Sequence, residues 1–88
     1  MNTIFSLEEA TWVGSKISAD WIKYSPEQFR IGLEIELEHG KKNPSTNVTN
    51  DNLMMTGQIA LAHLNKFPDY YERLERMEKE ANAFWNIT

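Results

Sequence analysis

The 88-residue chain contains no cysteine. That removes disulfides, thiolate metal sites and a thiol nucleophile, and it suits the reducing cytoplasm we expect for this protein. Long apolar runs are also missing. No stretch approaches the roughly 20 residues that cross a bilayer, and the first residues lack the basic start and apolar core of a signal peptide. Positive charge is scarce, with nine Lys and Arg against thirteen Asp and Glu and a net charge of −4. Such a chain has no basic field for a nucleic-acid backbone, and the one adjacent basic pair, Lys41–Lys42, reads as a solubilising loop feature. Glycine is sparse and nowhere forms a phosphate-cradling loop. A nucleophile elbow, a His-Glu-x-x-His motif and a serine suitably spaced from a histidine are all absent. These absences predict no nucleic-acid partner, no membrane association, no catalytic residue and no bound organic cofactor. Two segments, Asn47-Val48-Thr49 and Asn86-Ile87-Thr88, fit the glycosylation pattern, and we expect both matches to be chance, since the first residues do not read as a secretion signal.

What remains is ordinary globular material. Apolar residues make up 41% and charged residues 25%, and the length suits one modest core. The segment Phe29–His39 decides the fold class. It alternates apolar and polar residues like a strand, with Phe29, Ile31, Leu33, Ile35 and Leu37 on one face. Its ends are those of a helix, however. Ser25 is an N-cap, Pro26 occupies the first helical position, Gln28 completes a capping box, and Gly40 is a stop. A strand needs none of these, and Gly32 would weaken one.

The rest of the chain is punctuated in the same way. Ser6 and Glu9 form a capping box for a helix over about 7–17, with Leu7, Ala10, Val13 and Ile17 inward and Gly14 marking a close approach. A short apolar connector carries Trp21, Ile22 and Tyr24. After a polar, asparagine-rich loop over 41–52, Thr49, Asn50 or Asp51 caps a third helix with Met54, Met55, Ile59, Ala60 and Leu64 as packing positions. Pro68 ends it, and Asp69 opens a fourth helix whose stripe of Tyr70, Leu74, Met77, Ala81 and Phe84 recurs at spacings of four and three. The expected fold is therefore all-α, a compact single-domain bundle of about four helices over 1–88, with its core in about 5–80.

Both histidines fall on faces predicted to be buried. In a helical reading Glu36 and His39, three apart, point together. An antiparallel packing of the second and third helices would bring His63 to them. Glu36, His39 and His63 could then hold a divalent transition metal. Equally, a buried carboxylate and imidazole could pair with each other, since a buried carboxylate needs a partner in either case. At the other end, Phe84 and Trp85, with Ile87, make an apolar terminus that either folds back or receives a protein partner. A homo-oligomer is compatible with this composition.

Four blocks carry a resemblance: Gly-Leu-Glu-Ile-Glu-Leu-Glu-His-Gly (32–40), Asn-Val-Thr-Asn-Asp (47–51), Thr-Gly-Gln-Ile-Ala-Leu-Ala-His-Leu (56–64) and Phe-Pro-Asp-Tyr-Tyr-Glu-Arg-Leu (67–74). Together they resemble DUF5661, a family of small bacterial and bacteriophage proteins of unknown function. The resemblance implies an all-helical fold and a bacterial or phage origin, and it places Glu36, Glu38, His39, His63, Tyr70 and Tyr71 on motif positions. Ala62 and Lys66 stand where relatives carry acids, which leaves a metal fewer carboxylates. The function expected from these readings is a non-enzymatic, phage- or mobile-element-associated protein-interaction module, with metal binding through the Glu-x-x-His pair and His63 as the alternative.

Overall fold

A computed structural model describes residues 4–86. Four α-helices follow in order: α1 over Leu7–Lys16, α2 over Pro26–Glu36, α3 over Leu53–Lys66 and α4 over Tyr70–Phe84. No strand occurs among the described residues, so the fold is all-α and Phe29–Glu36 is helical. Its buried positions are Phe29, Gly32, Leu33 and Glu36, the spacing of one helix face. Ile31 and Ile35, which strand alternation would have placed on that same face, are only partly buried against the core.

Start signals account for the first two helices. In α1 the Ser6 hydroxyl accepts from the Glu9 amide at 3.0 Å, and the Glu9 carboxylate accepts from the Ser6 amide at 2.8 Å. Ser25 accepts from the Gln28 amide at 3.1 Å. Only half of that second capping box forms, because the Gln28 side chain donates instead to Glu72 on α4 at 3.2 Å. α1 buries Ala10, Val13 and Gly14. A Cβ at Gly14 would collide with the Trp21 ring, which is the close approach expected there. Trp21 in turn meets Phe29 edge-on at 5.8 Å and Tyr24 at 6.2 Å. Leu7 is exposed rather than inward, and so is Ile22 in the connector.

The polar loop is ordered by its own side chains. The His39 carbonyl accepts from the amides of Val48 at 2.6 Å and Thr49 at 3.1 Å. Asn47 accepts from the Asn50 amide at 2.8 Å, and Asp51 from the Lys41 amide at 2.8 Å. With Thr49 and Asp51 so engaged, the cap of α3 falls one residue beyond the predicted choices, on Asn52, which accepts from the Met55 amide at 2.9 Å. Gly40 ends the second helical segment without a left-handed turn, at φ −106°. A Cβ there would clash with the Asp51 carboxylate, so closeness of the loop explains this glycine.

α3 buries Thr56, Gly57, Ala60 and Leu64, while Met54 and Ile59 are half-buried and Met55 is exposed. The core of Phe5, Ala10, Val13, Tyr24, Phe29, Leu33, Ala60, Leu64 and Tyr71 lies between α1, α2 and α3, and the start of α4 closes it. α4 touches this body only through its first turns. Tyr71 is its one buried residue, Tyr70 and Leu74 lie half-buried against the core, and nearly everything after Leu74 is exposed. The stripe predicted to face inward along the whole helix does so only at its beginning. On the exposed side of α4, Glu75 and Lys79 pair at 3.4 Å, while Glu72 is turned towards Gln28. Arg73 instead pairs with Asp69 at 2.9 Å, which holds the Asp69 carboxyl below its usual range. No described helix is long and apolar enough to cross a membrane.

Candidate functional site

Glu36 ends α2 inside the protein, and every group around it arrives from a different element. Tyr71, from the first turn of α4, donates its hydroxyl proton to Glu36 Oε2 at 2.7 Å. His63, from the last turn of α3, places Nδ1 2.9 Å from the same oxygen and 3.1 Å from the Tyr71 hydroxyl. With the tyrosine proton already on Oε2, the geometry is satisfied when Nδ1 carries a proton and donates it to this pair of oxygens. Tyr70 stacks on the His63 ring at 4.4 Å with planes 6° apart, and Tyr71 meets that ring edge-on at 6.1 Å. The imidazole is thus fixed in orientation, with Nδ1 turned to the two oxygens.

The local sequence of α2 builds half of this arrangement. Gly32 lies one turn before Glu36, and a Cβ on it would come 2.5 Å from Tyr71 Cε2. The missing side chain makes the space into which the tyrosine ring lies, and the carboxylate one turn later accepts its hydroxyl. Burial, followed by the hydrogen bond to Glu36, pushes the Tyr71 phenol far above its ordinary 10.0. In the unfolded chain the phenol ionises near pH 10, while in the fold it stays protonated beyond that. Its contribution to stability is therefore complete below about pH 10 and is lost as pH rises further. We expect the unfolding free energy to fall above that pH with a slope of up to about 1.4 kcal/mol per pH unit from this group. Urea titrations across this range should give Tyr71→Phe a shallower slope, and equal slopes would refute the assignment.

His39 sits differently from its prediction. α2 ends at Glu36 and tightens into a 3-10 turn over Leu37–His39, which rotates the imidazole away from the core. Its side chain is 51% exposed, with Nε2 3.9 Å from Glu36 Oε1, whereas His63 is 32% exposed. Neither histidine is fully buried. Of the three residues proposed as ligands, His63 meets Glu36 through a hydrogen bond on Oε2, whereas His39 only stands near the other oxygen, beyond hydrogen-bond distance. Among the described residues no group of three or more such side chains is placed to hold a metal ion. The sequence pattern alone leaves Tyr71 out of this site, although Gly32 and Glu36 together signal a neighbour that needs both a hole and an acceptor.

A polar cluster of another kind holds the amino-terminal side. Glu34 Oε2 accepts from the amides of Ile4 and Phe5 at 2.9 and 3.0 Å, and from Arg30 at 2.9 Å. Arg30 also forks onto Glu27 at 2.7 and 2.8 Å. Hydrogen bonding and charge from Arg30 lower the Glu27 carboxyl. This face of α2 tethers the amino-terminal segment.

The second candidate site is apolar. Met77 is 52% exposed, Phe84 79% and Trp85 68%, with the last two rings in edge-on contact at 5.2 Å. Phe84 and Trp85 do not fold back onto the body. Ile87, expected beside them, and most of the Asn86-Ile87-Thr88 pattern lie outside the described residues. Nearer the body, Phe67, Tyr70, Arg73, Leu74 and Met77 line a groove of about 220 Å³.

The model of a family described as "Protein of unknown function (DUF5661)" matches residues 10–80. No curated protein and no solved structure matches the chain.

Proposed function

The chain belongs to the DUF5661 family, and we propose that it is a non-enzymatic protein-interaction module of a bacterial or phage cytoplasm that docks partners through the free part of α4. One observation carries this reading. Beyond Leu74 the helix keeps an apolar edge on which Met77, Phe84 and Trp85 are exposed among the described residues and Ala81 is half-buried between them. An isolated helix this short is marginal in water, and tertiary packing of an apolar face is what normally stabilises one. Exposed aromatics clustered at one end are also the residues that dominate protein interfaces. In this reading the Tyr71–Glu36–His63 cluster is structural. It fixes the root of α4 and so aims the free part away from the body.

The experiment is affinity capture with the tagged protein from its native host, set beside a Phe84→Ala/Trp85→Ala double variant. The wild type should retain a specific protein that the double variant loses. Both alanines are on the exposed end, so the variant should melt at the wild-type temperature. No retained protein, or equal retention by both forms, would reject the docking role.

A further inference from the structure

We infer that the partner for which the α4 face is shaped is a second copy of this chain, paired antiparallel through α4; the inference rests on the reading of α4 as a docking surface. The apolar edge is a heptad seam. Phe67, Tyr70, Leu74, Met77, Ala81 and Phe84 follow one another at spacings of three and four throughout. Phe67 precedes the helix, yet it lines the same groove as Tyr70, Leu74 and Met77. The seam therefore starts at the groove and ends at the free aromatic tip.

Its order is self-complementary about a two-fold axis passing between Glu75 and Arg76. Turned end for end, Leu74 meets Met77 of the second copy, Tyr70 meets Ala81, and Phe67 meets Phe84. Every seam residue then has a partner, and the bulky Tyr70 ring faces the smallest residue of the row. The exposed tip of each copy lands on the groove of the other, which joins two features the isolated fold leaves unexplained.

The flanking charges select this register. Arg73 and Glu80 both precede a seam position of the Leu74 and Ala81 kind, and antiparallel pairing brings like flanks together. Arg73 of each copy thus lies beside Glu80 of the other, giving two equivalent ion pairs. Arg73 uses its Nε on Asp69 and has two further nitrogens to offer. Sliding the helices by one heptad, with the axis at Lys79, would set Glu80 against Glu80 and Glu78 against Glu78, a like-charge arrangement. Parallel pairing would put Arg73 beside Glu78 instead. Seven charged residues from Glu72 to Glu80 nearly cancel in sign, so the acidity of the whole chain does not oppose the contact.

Sedimentation equilibrium on the purified full chain, from about 1 µM to about 1 mM, tests this. The expected mass approaches twice that of the monomer as concentration rises. Met77→Glu, an exposed site whose variant should keep the wild-type helical circular dichroism, should abolish the rise. Arg73→Glu should raise the dissociation constant about tenfold or more, and Arg73→Glu/Glu80→Arg should restore it. A monomer at all concentrations overturns self-pairing, while the docking reading is judged separately by the capture experiment. A dimer indifferent to Met77→Glu places the interface elsewhere and also overturns it. Rescue of Arg73→Glu by Glu78→Arg in place of Glu80→Arg would show parallel helices and overturn the arrangement.

Discussion

Glu36→Ala should lower the unfolding free energy by about 3–5 kcal/mol, a large part of the total for a domain of this size. The carboxylate is nearly inaccessible, yet two donors from two other helices converge on one of its oxygens. Truncation leaves the buried Tyr71 hydroxyl without its acceptor, strips His63 of its partner and opens space at the junction of α2, α3 and α4. Each stranded donor costs about 1–3 kcal/mol, and the lost methylenes add to this. Glu36→Gln keeps the shape and one accepting oxygen but loses the charge on the bonds, so it should cost less than alanine. Tyr71→Phe removes one bond to a charged group, at about 1.5–3 kcal/mol. Glu38→Ala, exposed on the following turn, should change stability by no more than about 0.5 kcal/mol. Urea unfolding followed by tryptophan fluorescence orders the four. If Glu36→Ala lies within about 1 kcal/mol of wild type, the cluster does not hold the helices together.

The parts of this fold that could be read in advance are those specified within a few residues of chain. Ser6 with Glu9 and Ser25 with Pro26 announce helix starts because capping is a local bond. The α2 segment could be read as helix in spite of its alternation for the same reason. Choices settled by distant contacts were not legible. Four polar residues in a row, Thr49 to Asn52, can each cap α3. The outcome depends on His39 and Lys41 recruiting Thr49 and Asp51 from across the loop. His39 leaves the core because α2 tightens into a 3-10 turn at its end, a change of pitch that no residue in the helix signals. The α4 stripe is genuine, but its periodicity states only that the helix has an apolar face. It does not say whether the chain's own core or another molecule covers that face. Tyr71, a single residue off the stripe, is therefore unmarked by the pattern, although it is the residue that enters the core.

Gly32 and Tyr71 should be coupled strongly enough to reverse the sign of a substitution. In the wild type, Gly32→Ala puts a methyl group 2.5 Å from Tyr71 Cε2. The ring must then shift and stretch its bond to Glu36, or α4 must move off α2. Overpacking of this kind costs about 1–3 kcal/mol, more than the gain of about 0.8–1 kcal/mol that alanine brings to a helix interior. Tyr71→Ala alone should cost about 3–5 kcal/mol, as expected when a buried aromatic is removed. In that background the obstacle to a side chain at position 32 has gone. Gly32→Ala should then stabilise by its helix propensity and by filling part of the cavity. The cycle of four proteins should yield a coupling of about 1–3 kcal/mol, read from denaturant midpoints at constant slope. The reversal also bears on function. If α4 is aimed by the ring seated on Gly32, then Gly32→Ala should weaken α4-mediated association while the body stays folded, and adding Tyr71→Ala should not restore it. Equal destabilisation by Gly32→Ala in both backgrounds would mean that the glycine serves the α2 backbone, with no part in placing the fourth helix.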